Sequence, residues 1–371
     1  MKAVILAGGE GTRLRPITFL NPKPMLPLVN RPFMEKFVLW IKSHKIEDII
    51  FSTGYLPEIF KNYFGDGSRF GMNFIYVQEK EPLDTCGGVK NVEKYLDGKS
   101  FMVFNGDILS SIDLTEMVAF HKRKKADITI SLTRVEDPAS YGLVPIDKES
   151  KVMQFLEKPK HGEAITDLIN AGIYIIEPNI MELVPKGKRY SFERDLFPDV
   201  LDKGYKVFGY VSDEYWLDVG TPQKYLMAHW DVLYKKINFK FPYKEVMENI
   251  YIGKDTKYSK NNFVSGPVVI GENTRIENSA RIMPLTVVGD DCHISGGTEI
   301  SESIIFGSCK IGKKCLIKRA IISNNVKIDD NVIIEDYTVI GDNSTIGKNN
   351  ILKNGVKIGI NSNIAPGQIS F

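Results

Sequence analysis

The chain has 371 residues, of which 43% are hydrophobic and 25% are charged, and its formal net charge at pH 7 is +2. The length exceeds that of a usual single domain, so we expect two domains, while the small charge excludes a general attraction to nucleic acid or membrane surfaces. No apolar stretch reaches the roughly 18 residues of a membrane span. The four cysteines contain no CxxC pair and indicate neither a zinc site nor a disulfide framework. We expect a cytoplasmic protein without nucleic-acid or membrane partners.

A short apolar run opens the chain and is followed at once by glycines. Residues 3–7 are typical of a buried strand in a parallel sheet. Gly8, Gly9 and Gly11 then free the backbone to bring its N–H groups against a ligand. Hydroxyl and cationic side chains follow at Thr12, Arg13, Arg15 and Lys23. These donors suit a polyphosphate, although neither the Walker loop nor the dinucleotide fingerprint matches.

Strands and helices alternate over the first 230 or so residues. The apolar spacing predicts helices at 32–44 and 58–64, and strands at 49–51, 73–77, 101–104 and 127–134. This alternation predicts an α/β fold with a Rossmann-like, mostly parallel mixed sheet and flanking helices. Ligands of such sheets collect beyond the carboxyl ends of the strands, where Gly8 and Asp107 fall.

The last hundred residues carry an aliphatic repeat of period six. The repeat runs through Val264, Ile270, Ile276, Ile282, Val288, Ile294, Ile300 and Phe306, slips by one residue to Ile305, Ile311 and Ile317, and slips again to run from Ile322 to Ile364. Such a period is typical of a left-handed parallel β-helix, and the slips predict coils that gain or lose a residue. We therefore expect an α/β domain at 1–230, a connector at 231–262 and a β-helix domain at 263–371.

The stretch from Lys2 to Met25, KAVILAGGEGTRLRPITFLNPKPM, resembles the signature of the sugar-nucleotide pyrophosphorylases. In that family a strand ending in Gly-Gly is followed by Gly-Thr-Arg-Leu-x-Pro and by Pro-Lys-Pro. The resemblance implies a nucleotidyltransferase that joins a nucleoside triphosphate to a sugar 1-phosphate and releases pyrophosphate. It also implies catalytic roles for Arg13 and Lys23, and a nucleotide site formed by Leu6, Ala7, Gly8, Gly9, Gly11, Thr12, Arg13 and Lys23.

Two aspartates follow strand-like runs. Attack of one anion on another requires cations and a divalent metal rather than a covalent nucleophile, and magnesium prefers carboxylate and phosphate oxygens. Asp107 ends Asn105-Gly106-Asp107, and Asp218 stands in Trp216-Leu217-Asp218-Val219-Gly220. In the resembling family both aspartates bind the metal, so we expect Mg²⁺ held by catalytic Asp107 and Asp218. Taken alone, each aspartate is also compatible with an ordinary turn.

The same resemblance assigns the residues that bind the sugar phosphate. Phe155-Leu156-Glu157-Lys158-Pro159 resembles the family's Glu-Lys-Pro motif, whose carboxylate binds sugar hydroxyls and whose lysine meets the phosphate. The segments that begin at Tyr141 and Asn170 match neighbouring family segments. The implied sugar-phosphate-binding residues are Gly142, Glu157, Lys158, Asn170 and Gly220. Without the family, Glu157 and Lys158 would be interpreted as a surface ion pair.

The base-reading region is implied at Gln78, Asp84 and Thr85. Enzymes for guanine often carry Pro-Leu-Gly-Thr-Ala-Gly here, and this chain has Asp84 in place of the first of those glycines. An acid could accept hydrogen bonds from guanine, or it could point to solvent. Together with Asn-Pro-Lys-Pro-Met, the segment resembles mannose-1-phosphate guanylyltransferases, so GTP with mannose 1-phosphate is the first choice. Glucose 1-phosphate with dTTP or UTP is the second.

Two other classes of function stay open. A non-catalytic regulatory paralogue that senses sugar nucleotides would be expected to lack Lys23 or one of the acids, and all are present. A bifunctional acyltransferase would need a base in the repeat region, where His293 is the only histidine. The independent core of the repeat region also predicts that it serves assembly of a homo-oligomer.

Overall fold

The computed structural model of the chain describes residues 1–157, 165–259 and 261–370. The chain forms two compact units: residues 1–10 and 37–217 make unit 1, and residues 11–36 and 218–371 make unit 2. Residues 11–36, here called the signature segment, therefore belong to the same unit as the C-terminal part of the chain. The linear boundaries at 230 and 262 stay a prediction. Among the described residues, none of the helices is long and apolar enough to cross a membrane.

The helices are mostly short. The α-helices are Phe33–Ser43, Pro57–Phe64, Asp84–Val92, Leu114–Lys124, Phe197–Asp202 and Pro222–Leu233. Shorter helical turns are Thr12–Leu14, Lys23–Met25, Ser68–Phe70, Glu93–Tyr95, Pro138–Ser140, Pro178–Leu183 and Phe192–Leu196. The predicted helices at 32–44 and 58–64 are confirmed within two residues at each end.

A mixed sheet forms the centre of unit 1. Its strands run in the order Leu156–Glu157, Gly142–Leu143, Leu168–Ile176, Phe101–Asn105, Ala3–Ala7, Asp48–Thr53 and Asn73–Gln78, and Ile128–Arg134 and Val207–Val211 pair beside Leu168–Ile176. Ala3–Ala7 is parallel to both of its neighbours, whereas Leu168–Ile176 is antiparallel to its own. Strands Ala3–Ala7 and Phe101–Asn105 are almost wholly buried, as expected where helices cover both faces. The predicted α/β class is confirmed.

Short strands make up the rest. They are Pro27–Leu28, Arg31–Pro32, Ile108–Ser110 and Trp216–Asp218, and in the repeat region Lys244–Met247, Ile250–Ile252, Lys257–Tyr258, Phe263–Val264, Val268–Ile270, Arg275–Ile276, Arg281–Ile282, Thr286–Val288, His293–Ile294, Glu299–Ser301, Ile304–Ile305, Lys310–Ile311, Leu316–Lys318, Ile321–Ile322, Lys327–Ile328, Ile333–Ile334, Val339–Ile340, Thr345–Ile346, Ile351–Leu352, Lys357–Ile358 and Asn363–Ile364. The strands of the repeat region from Ile250 onward form three parallel sheets, as a β-helix requires.

The coils of the β-helix are not all of one length. Ile252 pairs with Ile270 and Ile270 with Val288, a step of 18 residues, whereas Val288 pairs with Ile305 and Ile305 with Ile322, a step of 17. Each predicted slip is therefore the loss of one residue from one coil. The inward row contains Ile305, so the assignment of Phe306 to that row was wrong.

Small polar side chains line the inner corners of the coils. Thr274, Cys292 and Cys309 each donate a hydrogen bond to a carbonyl of the next coil, at 2.9, 3.1 and 3.0 Å respectively. All four cysteines are buried and free, and burial raises the pKa of the Cys309 thiol. Cys292 and Cys309 thus take the place that Thr274 takes in its own coil.

Candidate active site

In unit 1, three neighbouring parallel strands end at one cluster. Gly8 follows the first strand, and Gly54 and Glu79 follow the next two. A Cβ on Gly54 would lie 2.8 Å from the Gly8 carbonyl oxygen, and a Cβ on Gly8 would lie 3.2 Å from the Glu79 carboxylate. The glycines are therefore required for the close approach of backbones at the carboxyl edge of the sheet. Ala7 is buried. Gly9 borders open space, because a Cβ on it would have no heavy atom within 4 Å.

The carboxylate of Glu79 holds this cluster together. Its oxygens accept hydrogen bonds from the Ser52 hydroxyl at 2.9 Å and from the Leu83 N–H at 3.1 Å. The Cα of Gly88 also approaches it closely, since a Cβ there would lie 2.9 Å from Oε1 and 3.4 Å from the Leu6 side chain. Sequence reasoning missed Glu79. Its position directly after Gln78 was the available signal, because that residue ends a parallel strand.

Asp107 lies beyond the strand Phe101–Asn105. The Gly106 N–H donates to the Leu6 carbonyl at 2.9 Å, and a Cβ on Gly106 would lie 2.6 Å from that oxygen. Only a glycine fits this approach, and it brings Asp107 to the end of the strand that leads into the glycine-rich loop. Asp107 is half-buried, so the residue is partly accessible.

Three predicted sugar-phosphate residues lie on adjacent strands of unit 1. Gly142 is directly opposite Glu157 in an antiparallel pair, and the strand that carries Gly142 also pairs with the strand that carries Asn170. The Asn170 amide donates to the Tyr174 hydroxyl at 2.8 Å and accepts from the Gly172 N–H at 2.9 Å. Lys158, the fourth such residue in this part of the chain, lies outside the described residues.

Asp84 adopts a left-handed backbone conformation, with φ of +64°. This explains why the resembling family has a glycine there, since glycine and aspartate both tolerate that region. One carboxylate oxygen accepts from the Thr85 N–H at 3.1 Å, and the other is bound by the Arg194 guanidinium. Both oxygens therefore already have partners within the protein. Gln78 is exposed at the end of its strand.

A second carboxylate that sequence reasoning missed is Glu193. It accepts hydrogen bonds from the hydroxyls of Ser191 at 2.8 Å, of Thr85 at 3.3 Å and of Tyr174 at 3.3 Å. The Asn170 amide lies 3.5 Å from the same carboxylate. Glu193 thus links a predicted base-reading residue to a predicted sugar contact. Burial, followed by the charge of Glu193, raises the pKa of Tyr174, so that tyrosine stays protonated as a donor.

In unit 2, the signature segment folds back on itself around Gly11. Gly11 has φ of +63°, and a Cβ there would lie 3.1 Å from the Cβ of Lys23 and 3.1 Å from the Thr18 side chain. The Thr18 hydroxyl also donates to the Gly11 carbonyl at 2.9 Å. Gly11 and Lys23, far apart in the motif, are therefore packed together, while Thr12 and Arg13 are exposed.

Arg13, Asp218 and Gly220 form the second cluster of unit 2. A Cβ on Gly220 would lie 3.0 Å from the Arg13 guanidinium nitrogen Nη2 and 3.0 Å from Asp218 Oδ2. The other oxygen of Asp218 is bound by the Lys224 ammonium. The cluster places cations and one carboxylate close to a glycine, where a Cβ would crowd both Arg13 and Asp218.

The carboxylates of the two units suit Mg²⁺. The described residues contain no group of three or more His, Cys, Asp or Glu side chains that could hold a metal ion by itself. Magnesium does not need such a cage, because it binds through one or two carboxylates and completes its shell with water and phosphate oxygens. The Lys224 ammonium bound to Asp218 shows that this carboxylate already binds a cationic group, so the donor chemistry fits.

Comparison with known proteins decides the family. Residues 2–235 match the model of the nucleotidyl transferase family. The chain belongs to the nucleotidyl transferase family. Residues 247–352 match the model of the left-handed β-helix domain of the EIF2B epsilon subunit, which confirms the β-helix that the repeat predicts. The chain is thus an enzyme of the nucleotidyltransferase class with an appended left-handed β-helix.

Curated relatives cover most of the chain. The mannose-1-phosphate guanylyltransferase of Mycobacterium tuberculosis is 37% identical over 85% of this chain and 83% of its own length. The UTP–glucose-1-phosphate uridylyltransferase of Synechocystis is 36% identical over 84% of both. Among solved structures, HddC from Yersinia pseudotuberculosis in complex with GMP-PN is 31% identical, with a TM-score of 0.54, over 62% of this chain and 97% of its own.

Proposed function

We propose that the chain is a sugar-1-phosphate nucleotidylyltransferase that converts a nucleoside triphosphate and a sugar 1-phosphate into a nucleoside diphosphate sugar and pyrophosphate. The observation that carries the proposal is the cluster at Gly220, where the Arg13 guanidinium and an Asp218 oxygen lie close to the same glycine Cα. A cation beside a carboxylate fits the assembly of a phosphate–metal complex. Relatives that cover over four-fifths of the chain bear names for this reaction type.

In the proposed mechanism a phosphate oxygen of the sugar phosphate attacks the α-phosphorus in line, and pyrophosphate leaves. Arg13 and Lys23 would stabilise the charge on the departing pyrophosphate, since fixed cations act where charge develops. The backbone of Leu6, Ala7, Gly8, Gly9 and Gly11, with the Thr12 hydroxyl, would bind the nucleotide. Asp107 and Asp218 would hold Mg²⁺, which when bound neutralises phosphate charge.

The acceptor-rich part of unit 1 would bind the sugar phosphate. Gly142, Glu157 and Asn170 lie on adjacent strands, and we assign their polar groups to sugar hydroxyls, with Lys158 and Gly220 at the phosphate. Glu193 would act as a positioning residue, because its carboxylate binds Thr85 and lies beside Asn170. Carboxylates and amides are the partners that hydroxyl donors require.

GTP with mannose 1-phosphate is the first candidate pair, supported by the guanylyltransferase relative. UTP or dTTP with glucose 1-phosphate is the second, because a uridylyltransferase is similar to nearly the same degree. Gln78, Asp84 and Thr85 would lie near the base. Asp84 would have to use its remaining lone pairs for guanine, since Arg194 and the Thr85 N–H already bind both oxygens.

Assembly and location are part of the proposal. The outward residues Leu316, Ile333 and Ile351 of three successive coils in one β-helix sheet are half-exposed aliphatic side chains, and the charged Arg281 and Glu299 precede them in the same row. We assign a homo-oligomer contact to this row, which light scattering of Ile333→Lys against wild type would test. The free buried thiols suit a reducing compartment such as the cytoplasm.

The decisive assay is pyrophosphate release with Mg²⁺ over a matrix of four nucleoside triphosphates and several sugar 1-phosphates. The proposal expects one pair to be preferred, with release that depends on both substrates. Triphosphate hydrolysis without a sugar phosphate, or no release from any pair, would contradict it. Binding of a sugar nucleotide without turnover would instead support a regulatory paralogue, and consumption of acetyl coenzyme A would support an acyltransferase that uses His293.

A further inference from the structure

The outer faces of the β-helix sheets differ sharply in chemistry. Over five successive coils the outward row of one sheet is aliphatic and at most 1% exposed, and this stretch is here called the covered face: Val269, Val287, Ile304, Ile321 and Val339. In each strand these residues alternate with residues of the inward row, and none of the five belongs to the inward core. The matching row of a second sheet contains Arg275, His293, Lys310 and Lys327. A sheet buried on both faces is part of a larger core, not a surface of a free module.

Unit 2 itself supplies contacts at the carboxyl ends of these strands. The Asn30 amide donates to the Val288 carbonyl at 2.7 Å, and the ring of Tyr225 lies 6.3 Å from that of Phe306. Asn30 belongs to the signature segment, and Tyr225 belongs to the helix that follows Asp218 and Gly220. Both functional clusters of unit 2 are thus continuous in sequence with elements that contact the β-helix.

The helix Pro222–Leu233, which carries Tyr225, also forms hydrogen bonds with the backbone of the signature segment. His229 is fully buried, with Nδ1 accepting from the Val29 N–H at 3.3 Å and Nε2 donating to the Pro27 carbonyl at 3.0 Å. The Tyr225 hydroxyl donates to the same carbonyl. Residues 27–30 are therefore fixed both by the helix and by a β-helix carbonyl.

Contacts between the β-helix and the signature segment continue in the terminal coils, where they involve Pro16 and Arg13. A Cβ on Gly341 would lie 3.0 Å from the Cβ of Pro16. One coil further on, the Lys357 ammonium donates to the Arg13 carbonyl at 3.1 Å. Lys357 occupies the next position in the row of the covered face, directly after Val339. The row changes from aliphatic to cationic where it meets the backbone of Arg13.

We infer that the β-helix supports the part of the signature segment that would bind the triphosphate, residues 11–18. In this arrangement Lys357 is a positioning residue that holds the backbone of Arg13. The inference rests on the proposed function of Arg13, because the loop has to be held only if its guanidinium acts on a ligand. The β-helix then contributes to turnover, in addition to any part it has in assembly.

The test compares Lys357→Met with Lys327→Met in the full-length protein. Both are exposed outward lysines of the β-helix, but Lys327 lies on another sheet and pairs with Asp329 at 3.2 Å, an exposed pair that contributes little. Hydrogen exchange of peptides covering residues 11–18 is measured first. We expect about 3–10-fold faster exchange in Lys357→Met, the range for loss of one hydrogen bond, and no change in Lys327→Met. Asn30→Asp, which removes the donor to the Val288 carbonyl, should also accelerate hydrogen exchange in residues 11–18.

The kinetic arm uses the substrate pair found in the matrix assay. Lys357→Met should raise KM for the triphosphate about 3–10-fold and leave KM for the sugar phosphate unchanged, and Lys357→Arg should restore the wild-type value because it keeps a donor. Equal exchange in 11–18 for wild type, Lys357→Met and Asn30→Asp would overturn the inference even if the enzyme is active. An inactive wild type with the expected exchange pattern would instead refute the proposed function alone.

Discussion

The two units offer opposite chemistry to a ligand. In unit 1 the site is rich in acceptors, with Glu193 surrounded by hydroxyls and an amide. In unit 2 the site is rich in cations, with Arg13 beside Gly220 and Lys224 on Asp218. A sugar presents hydroxyl donors and a triphosphate presents anionic oxygens. The difference indicates that unit 1 supplies acceptors for sugar hydroxyls and unit 2 supplies cations for phosphate oxygens, and the following changes test that division.

The largest effect is expected for Asp107→Asn. The change removes a carboxylate that would hold Mg²⁺ while keeping the shape of the side chain, so kcat should fall by roughly 100-fold or more, the scale on which loss of a key electrostatic group acts. Asp97→Asn, at an exposed position, is the control for lost charge. Steady-state pyrophosphate release measures both. A near-normal kcat with an unchanged melting temperature would remove Asp107 from the metal site.

Gly220→Ala tests the cationic cluster of unit 2. The new Cβ would lie 3.0 Å from Arg13 Nη2 and from Asp218 Oδ2, so both groups must shift, and a shift of this kind can cost up to about 100-fold in rate. Gly307→Ala is the matched control, because its Cβ would meet the nearest atom at 3.5 Å. Equal kcat/KM for the two variants would show that the crowding at Gly220 has no functional meaning.

Glu193→Gln tests the acceptor cluster of unit 1. The amide keeps the shape but replaces one acceptor oxygen with a donor, which leaves the Ser191 or Thr85 hydroxyl without its charged acceptor. Since a hydrogen bond to a charged group contributes about 1.5–3 kcal/mol, KM for the sugar phosphate should rise by roughly 10-fold or more. KM for the triphosphate should change less. Exposed Glu182→Gln is the control, and a rise confined to the triphosphate would contradict the division.

The smallest effect is expected for stability and concerns His229, which binds the signature segment. Burial lowers the pKa of His229 from 6.5 to about 3, so the folded protein keeps it neutral while the unfolded chain takes up a proton below pH 6.5. Its contribution to stability is therefore complete above about pH 6.5 and is lost as the pH falls toward 3. His229→Gln should flatten this loss. Urea unfolding at pH 7.5 and 5 measures it, and parallel losses in both proteins would contradict the assignment.

The sequence predicted most of the fold because periodicity is a local signal. The strands around Phe101–Asn105 and the six-residue repeat were found from spacing alone, and even the two short coils were visible as slips. Phe306 was misassigned because an aliphatic pattern does not distinguish two neighbouring apolar residues. The paired aliphatics Ile304-Ile305 and Ile321-Ile322 lie on the covered face, but Ile333-Ile334 and Ile351-Leu352 form the same pairs in a sheet whose outward row is half-exposed, so the pairing alone does not identify a covered face.

The site was less predictable than the fold. Glycine positions such as Gly106 and Gly11 follow from the motif, and the structure explains them by close approach and by positive φ. Glu79 was missed although it directly follows Gln78 at a strand end, and Glu193 was missed because a carboxylate that binds hydroxyls from distant segments leaves no pattern in the sequence. The substitution at Asp84 was noticed, but its left-handed backbone and its pairing with Arg194 are tertiary facts.

The most direct test of the division is a crystal structure of the Mg²⁺ complex with a non-hydrolysable triphosphate and the preferred sugar 1-phosphate. The account predicts the phosphate oxygens of the nucleotide against Arg13, Thr12 and Lys23, and the sugar hydroxyls against Gly142 and Asn170. Triphosphate oxygens placed against Gly142 and Asn170, or a sugar ring against the signature segment, would contradict it.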